Sequence, residues 1–142
     1  MSRITEPPLF APVVDQKGIA SLEWTLFFNQ LFTGDNGTQF SPNIVGMTGN
    51  FTVSGVFYRL SRKLTYFRLN ITPNGNTTST AGSTYVDNFP QEFSADGVCF
   101  SSFPSAGLGG SLGSVSEQSN RIFLPAWTDV SVPIVINGAA ET

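Results

Sequence analysis

The chain has 142 residues, a length that fits one domain, and charged residues make up only 12% of it against about 25% in ordinary soluble domains. Hydrophobic residues account for 40%, and the net charge of -3 argues against nucleic acid as a partner. The chain has no histidine, which removes the commonest general base and the commonest metal ligand. We therefore expect a protein with no metal, no cofactor and no enzymatic activity.

Residues 1–16 are predicted to form an extended N-terminal arm. Prolines lack an amide donor and favour extended backbone, and apolar residues stand between them. Such an arm either lies back on its own domain or docks on a neighbouring subunit or another protein, and the sequence favours docking. The residues expected to dock are Ile4, Pro7, Pro8, Leu9, Phe10 and Val13.

Residues 17–34 are predicted to form one short amphipathic helix of about fourteen residues, roughly 20 Å long. Its apolar residues occupy two faces, and two apolar faces indicate two partners. The face expected at a trimer interface carries Ile19, Leu22, Leu26 and Asn29. The face expected to pack on the β domain carries Trp24, Phe27, Phe28 and Leu31.

Two alternatives stay open for this helix. The two apolar patterns are equally regular, so the faces could exchange their roles. The helix could also be buried within one chain, as the central helix of an α+β domain. The stretch is too short and in places too polar to span a bilayer, so no membrane partner is expected.

Residues 35–142 are predicted to form a mainly β domain, an antiparallel sandwich of jelly-roll type. Residues 51–60 and 64–72 form a predicted hairpin around the break at 61–63. In its second strand Thr65, Phe67, Leu69 and Ile71 share one face, the period-2 pattern of a half-buried strand. Further short strands are expected within 83–89, 98–103, 119–124 and 130–137, broken by glycine and proline.

Two stretches of this domain are predicted to lie outside strands. The sequence Pro-Asn-Gly-Asn at 73–76 has the composition of a turn. The glycine-rich stretch 107–113 lacks the spacing and the lysine of a phosphate-binding loop, so we expect a mobile surface loop.

The few groups that could carry chemistry have simpler interpretations. Asp87, Glu92 and Asp96 lie within ten residues, but spacing alone does not place them around a sugar cleft, and solvated loop carboxylates are the expectation. Cys99 lies in an apolar setting, which predicts a buried, inert thiol. The basic residues near the predicted hairpin favour a charged tip over an anion site; they are Arg59, Arg62, Lys63 and Arg68.

Three segments resemble small virion proteins of tailed bacteriophages and prophages. They are LEWTLFFNQLFTGD at 22–35, GVFYR at 55–59 and LTYFR at 64–68, about a third of the chain in all. The resemblance implies a short N-terminal segment and a helix before a β-sandwich, assembly as a homotrimer, and a structural rather than enzymatic role. Members of this group serve as capsid cement or decoration proteins, head fibres, and tips of tail fibres or tail needles.

The chain offers no long shaft, which favours the capsid over the tail. We expect a trimeric cement protein on the virion surface that clamps neighbouring copies of the major capsid protein at threefold or quasi-threefold positions. The alternative is a knob of tail-fibre, head-fibre or tail-needle type, with outer loops such as 105–116 binding a host receptor or polysaccharide. Both alternatives share the fold and the trimer.

Overall fold

The computed structural model describes residues 37–142, which form a mainly antiparallel β domain. The predicted arm (1–16) and helix (17–34) lie outside the described residues. The strands are β1 Thr38–Phe40, β2 Ile44–Val45, β3 Thr48–Arg59, β4 Leu64–Ser79, β5 Tyr85–Val86, β6 Gly97–Phe103, β7 Leu108–Val115, β8 Ile122–Phe123, β9 Trp127–Val130 and β10 Ile134–Glu141. A short 3-10 helix, Pro104–Ala106, lies between β6 and β7.

The strands join into one curled sheet that resembles half of a barrel. Its order is β1-β3-β4-β10-β6-β7-β8-β5-β2, and β9 pairs separately with β4. In a flat sheet, β1 and β2 would be ~38 Å apart at ordinary strand spacing. Phe40 and Ile44, which end β1 and begin β2, are joined by a link that reaches at most ~14 Å. The two ends of the sheet must therefore approach each other.

The hairpin of β3 and β4 is the longest pairing in the sheet and confirms the predicted hairpin. Its register runs from Arg59 opposite Thr65 to Phe51 opposite Pro73, and continues past an irregularity to Thr48 opposite Thr78. The predicted alternation in the second strand is also confirmed, because Thr65, Phe67, Leu69 and Ile71 are all at most 1% exposed.

The core fills the concave side of the curled sheet with aromatic side chains. Phe89 and Phe93 come from the segment between β5 and β6, and their rings stack at 4.9 Å. Phe67 of β4 and Phe57 of β3 lie within 5.7 Å and 5.5 Å of the Phe89 ring. Burying side chains of this size supplies much of the hydrophobic stabilisation of a small domain.

Two predictions of irregular structure are wrong. Residues 73–76 lie inside β4, where Gly75 adopts a φ of +96° and the register with β3 shifts, so the turn-like sequence produces a bulge and not a reversal. The glycine-rich stretch predicted as a mobile loop forms most of β7, which pairs with β6 from Leu108 opposite Phe103 to Val115 opposite Gly97. The single curled sheet leaves the predicted sandwich or jelly roll a prediction.

Candidate interaction surface

The five central strands, β3, β4, β10, β6 and β7, direct alternate side chains away from the core onto what we call the outer face. The registers align one outward row across these strands, consisting of Val56, Arg68, Asn137, Phe100 and Leu112. Residues directly opposite on neighbouring strands have Cβ atoms about 4.5–5.5 Å apart, so the members of a row form a continuous surface.

A second outward row lies beside the first. It consists of Tyr58, Tyr66, Ala139, Val98 and Ser114. The Tyr58 and Tyr66 rings lie 5.9 Å apart, and the Tyr66 hydroxyl donates a hydrogen bond to Asn137 Oδ1 in the first row. The two rows therefore form one surface of aromatic, aliphatic and amide groups.

Three large apolar side chains stand out on this surface, and we call them the outer strip. Val98 is 60% exposed, Phe100 48% and Leu112 70%, and Phe100 lies directly opposite Leu112 in the β6–β7 pair. Scattered apolar residues are ordinary on protein surfaces, but a contiguous group in the middle of a sheet marks an interaction site or an aggregation hazard.

Charge is almost absent from the outer face. Among the outward positions of the five strands it is confined to Arg68 on β4 and Glu141 at the end of β10. An antiparallel sheet with one solvated face normally presents polar side chains there, and charged residues keep such surfaces from associating. The outer strip lacks that protection.

The described part of the chain begins beside the outer face. A Cβ atom added to Gly37 would lie 2.7 Å from the Tyr58 ring and 2.8 Å from the Val56 side chain, and both of these residues point outward. Glycine at this position allows the two side chains to cover the backbone. The described part of the chain therefore starts at the β1 edge of the outer face.

An open groove of about 450 Å³ lies at the same edge of the sheet. Its polar side chains include Gln39, Ser54 and Asn70, and no charged residue lines it. Amide and hydroxyl groups of this kind can bind an uncharged polar ligand such as a sugar through hydrogen bonds.

The three loop carboxylates do not form a common site. Asp87 Oδ1 accepts a hydrogen bond from Asn43 Nδ2 at 2.9 Å, and Asp96 Oδ1 accepts one from the Glu117 backbone N–H at 2.8 Å. Glu92 lies exposed between them in the sequence. Over residues 37–142, no group of three or more acidic or cysteine side chains is arranged to hold a metal ion.

Cys99 is buried in the core, as predicted. The side chain is fully covered, and this burial raises the pKa of its thiol from 9.0 to about 12, although a backbone hydrogen bond with Gly113 acts in the opposite direction. A thiol that keeps its proton at neutral pH is a poor nucleophile, so this cysteine has the properties of a core residue.

The basic residues behave partly as predicted. Arg59 reaches over the β3–β4 connection, where its guanidinium donates to the backbone carbonyl oxygens of Ser61 and Arg62. Arg68 instead belongs to the outer face, where its Nε lies 3.4 Å from Asn70 Oδ1.

Within residues 37–142, the structure contains no helix with the length and apolarity that a membrane span requires.

The residues predicted for the trimer interface, the packing on the β domain and the capsid anchor all precede residue 37. Three predicted groups lie outside the described residues: the trimer positions Ile19, Leu22, Leu26 and Asn29, the packing positions Trp24, Phe27, Phe28 and Leu31, and the arm positions Ile4, Pro7, Pro8, Leu9, Phe10 and Val13. Those assignments stay predictions.

Sequence reasoning missed the outer strip. Its signal was present at 98–100, where Val98 and Phe100 flank Cys99, because apolar residues at three successive strand positions leave both faces apolar. Leu112 could not be found in this way, because the glycines around it concealed the strand.

No family model matches the chain, and the comparisons with curated proteins and with solved structures give no match either.

Proposed function

We propose that this protein is a non-enzymatic structural subunit of a tailed-phage virion, a homotrimer that cements or decorates the capsid. The observation that carries the proposal is the outer strip, Val98, Phe100 and Leu112, on a sheet face with almost no charge. Such a face is stable in water once the assembled protein covers it, either with another part of this chain or with a second chain. The identity as a virion protein rests on the resemblance of segments 22–35, 55–59 and 64–68.

In this proposal the three parts of the chain have separate tasks. The arm, residues 1–16, docks on the major capsid protein, the helix at 17–34 joins three copies, and the β domain forms an outer knob of jelly-roll type. Repetition over a symmetric shell increases the avidity of weak individual contacts. Neither nucleic acid nor a membrane is a partner.

The trimer is tested by sedimentation velocity on the full chain. Leu22→Asp and Leu26→Asp place a charge in the predicted apolar seam and are expected to convert the trimer to monomer or aggregate. Thr25→Asp, which belongs to neither apolar face, is the matched control and is expected to leave the trimer intact. A trimer that persists in both leucine variants contradicts the seam assignment.

The position of the protein in the virion is tested by its copy number per particle. Quantitative mass spectrometry of purified particles is expected to find hundreds of copies per virion, whereas a few tens or fewer indicate the tail. Deleting residues 1–14 is expected to leave a folded trimer that no longer binds capsids. If the truncated protein decorates capsids normally, the arm is not the anchor, and if purified virions lack the protein the proposal is wrong.

A knob that binds a host polysaccharide is the second candidate, and the uncharged groove at Gln39, Ser54 and Asn70 favours it. The predicted binding loop at 105–116 is mostly strand β7, so the groove replaces it as the candidate site. Calorimetric titration with polysaccharide from the host surface tests this candidate. If this candidate is correct, the intact protein binds the polysaccharide, and Asn70→Ala lowers the affinity for the polysaccharide at least tenfold.

A further inference from the structure

We propose that this chain's own residues 18–34 pack on the outer strip, so that their aromatic face covers Val98, Phe100 and Leu112. The proposal deepens the proposed function and relies on it for the role of the second apolar face of the segment. It names the receiving surface, which the sequence does not identify.

The point where the segment joins the domain favours this arrangement. Gly37 lies under the outward side chains of Tyr58 and Val56, so residues 18–34 reach the sheet on the side of the outer strip. Tyr58 belongs to the outward row that continues through Tyr66 and Ala139 to Val98. A segment that follows this row across the strands arrives directly at the outer strip.

The length of the predicted helix also fits the distance to the strip. From β1 to β6 there are four strand spacings, ~19 Å, and from β1 to β7 there are five, ~24 Å. The predicted helix of about fourteen residues is ~21 Å long. One such helix, laid across the strands, spans the distance to Val98 and Phe100 on β6, and the link from residue 34 to Gly37 supplies the remaining ~3 Å to Leu112 on β7.

The side chains of the segment and of the outer face are chemically matched. Residues 18–34 carry Trp24, Phe27, Phe28 and Leu31, and their only charged residue is Glu23. The surface between Gly37 and the strip is equally poor in charge, and its single central charge, Arg68, is opposite in sign to Glu23. Aromatic and aliphatic groups on one side meet exposed aliphatic and aromatic groups on the other.

Seating the aromatic face on the sheet leaves Ile19, Leu22 and Leu26 directed away from the domain. This resolves the ambiguity that the sequence leaves between the two faces. The same geometry presents the second apolar face to other copies of the chain, as the trimer requires.

Photo-crosslinking in the full chain tests the contact between residues 18–34 and the outer strip. With p-benzoylphenylalanine in place of Leu112, irradiation is expected to attach residue 112 to a residue within 18–34, located by tandem mass spectrometry after tryptic cleavage at Lys17 and Arg59. The same photoprobe in place of Thr72, an exposed outward residue beyond the proposed path, is the matched control and is expected to give no such product.

Isotope mixing separates the possible occupants. Unlabelled and ¹⁵N-labelled chains are unfolded, mixed and refolded before irradiation. Cross-links that join only peptides of the same isotope support the seat within one chain. Cross-links of mixed isotope show that a second copy occupies the strip and overturn the proposal, as do cross-links to other segments or none at all.

Hydrogen exchange gives an independent measurement. Phe100→Asp and Leu112→Asp are expected to lower amide protection in residues 18–34 at least tenfold, with protection of the β3–β4 hairpin unchanged. Thr72→Asp is expected to change neither. Equal protection of 18–34 in all three variants contradicts the proposal. The copy number in virions is measured separately. The packing of residues 18–34 on the outer strip can therefore be disproved without contradicting the proposed function.

Discussion

The fit between Gly138 and the Phe67 ring offers a sharp test of how the core is packed. Register places Phe57, Phe67, Gly138, Cys99 and Gly113 in one inward row across β3, β4, β10, β6 and β7. A Cβ atom at Gly138 would lie only 2.4 Å from Phe67 Cζ and 2.9 Å from Cys99 Cβ. The missing side chain of Gly138 thus provides the space that the Phe67 ring fills.

Gly138→Ala is expected to lower the free energy of unfolding by about 1–2 kcal/mol. Ordinary van der Waals contact begins near 3.4 Å, so the buried ring or the strand must move by about 1 Å, and inserting a methylene into a packed core costs about 1–3 kcal/mol. The loss of chain entropy in the unfolded state returns about 0.4–1 kcal/mol of this. With an m-value of about 2 kcal/mol/M, the urea midpoint falls by about 0.5–1 M.

A double-mutant cycle isolates the contact. Phe67→Leu alone is expected to cost about 2 kcal/mol, because a fully buried ring loses its contacts with Phe89 and Phe93. In the double variant the shorter leucine leaves room for the alanine methyl group. The two costs should therefore fall short of additivity by about 1–2 kcal/mol.

The assay is equilibrium urea unfolding of the full chain at 25 °C, followed by tryptophan fluorescence at fixed protein concentration. Gly109→Ala is the matched control, because a Cβ atom there has no neighbour within 4 Å among the described residues. It is expected to leave stability unchanged or raise it by up to about 1 kcal/mol, because only the loss of chain entropy in the unfolded state remains. If Gly138→Ala is as stable as this control, or if the cycle is additive, Gly138 does not provide the space that the Phe67 ring fills.

Two further predictions concern buried polar groups. Burial raises the pKa of Cys99 from 9.0 to about 12, so its reaction with iodoacetamide at pH 8 should be at least about a thousandfold slower in the native protein than in urea. The unfolded thiol ionises first, so stability should fall by about 1.4 kcal/mol per pH unit between those pKa values, and Cys99→Ala should abolish this component. Thr65 Oγ1 donates to Gln91 Oε1 at 3.2 Å, while Gln91 Nε2 has no hydrogen-bond partner among the described residues. Thr65→Val should therefore cost about 1–3 kcal/mol in urea unfolding, and Thr65→Val with Gln91→Leu should be more stable than Thr65→Val alone.

The sequence was informative where one physical signal dominated. In β4, the alternation of Phe67, Leu69 and Ile71 with polar residues predicted which side chains are buried, because one face of this strand meets the core and the other does not. The apolar neighbours of Cys99 likewise predicted a buried thiol. In these places local pattern and tertiary environment agree.

The sequence misled where tertiary pairing overrode local composition. Pro73 lies inside β4, but β10 pairs with β4 only from Leu64 to Ile71, so the missing amide of Pro73 disrupts no pairing with β10. In β7, Gly110 and Gly113 allow close packing. A Cβ atom at Gly113 would lie 2.2 Å from the Phe123 carbonyl oxygen, a contact that no local pattern reveals.

The two apolar features of the chain explain each other in the proposed arrangement. Residues 18–34 have more apolar residues than one interface of a surface helix can bury, and the β domain exposes Val98, Phe100 and Leu112 with little charge around them. If the aromatic face covers the strip, the domain loses its exposed patch and the segment retains one apolar face, which is what a homotrimer uses. Charge at Leu112 should then release the segment from the sheet, whereas charge at Leu22 should separate the copies and leave the segment seated. Variants that fail together in both assays would mean that one surface serves both contacts.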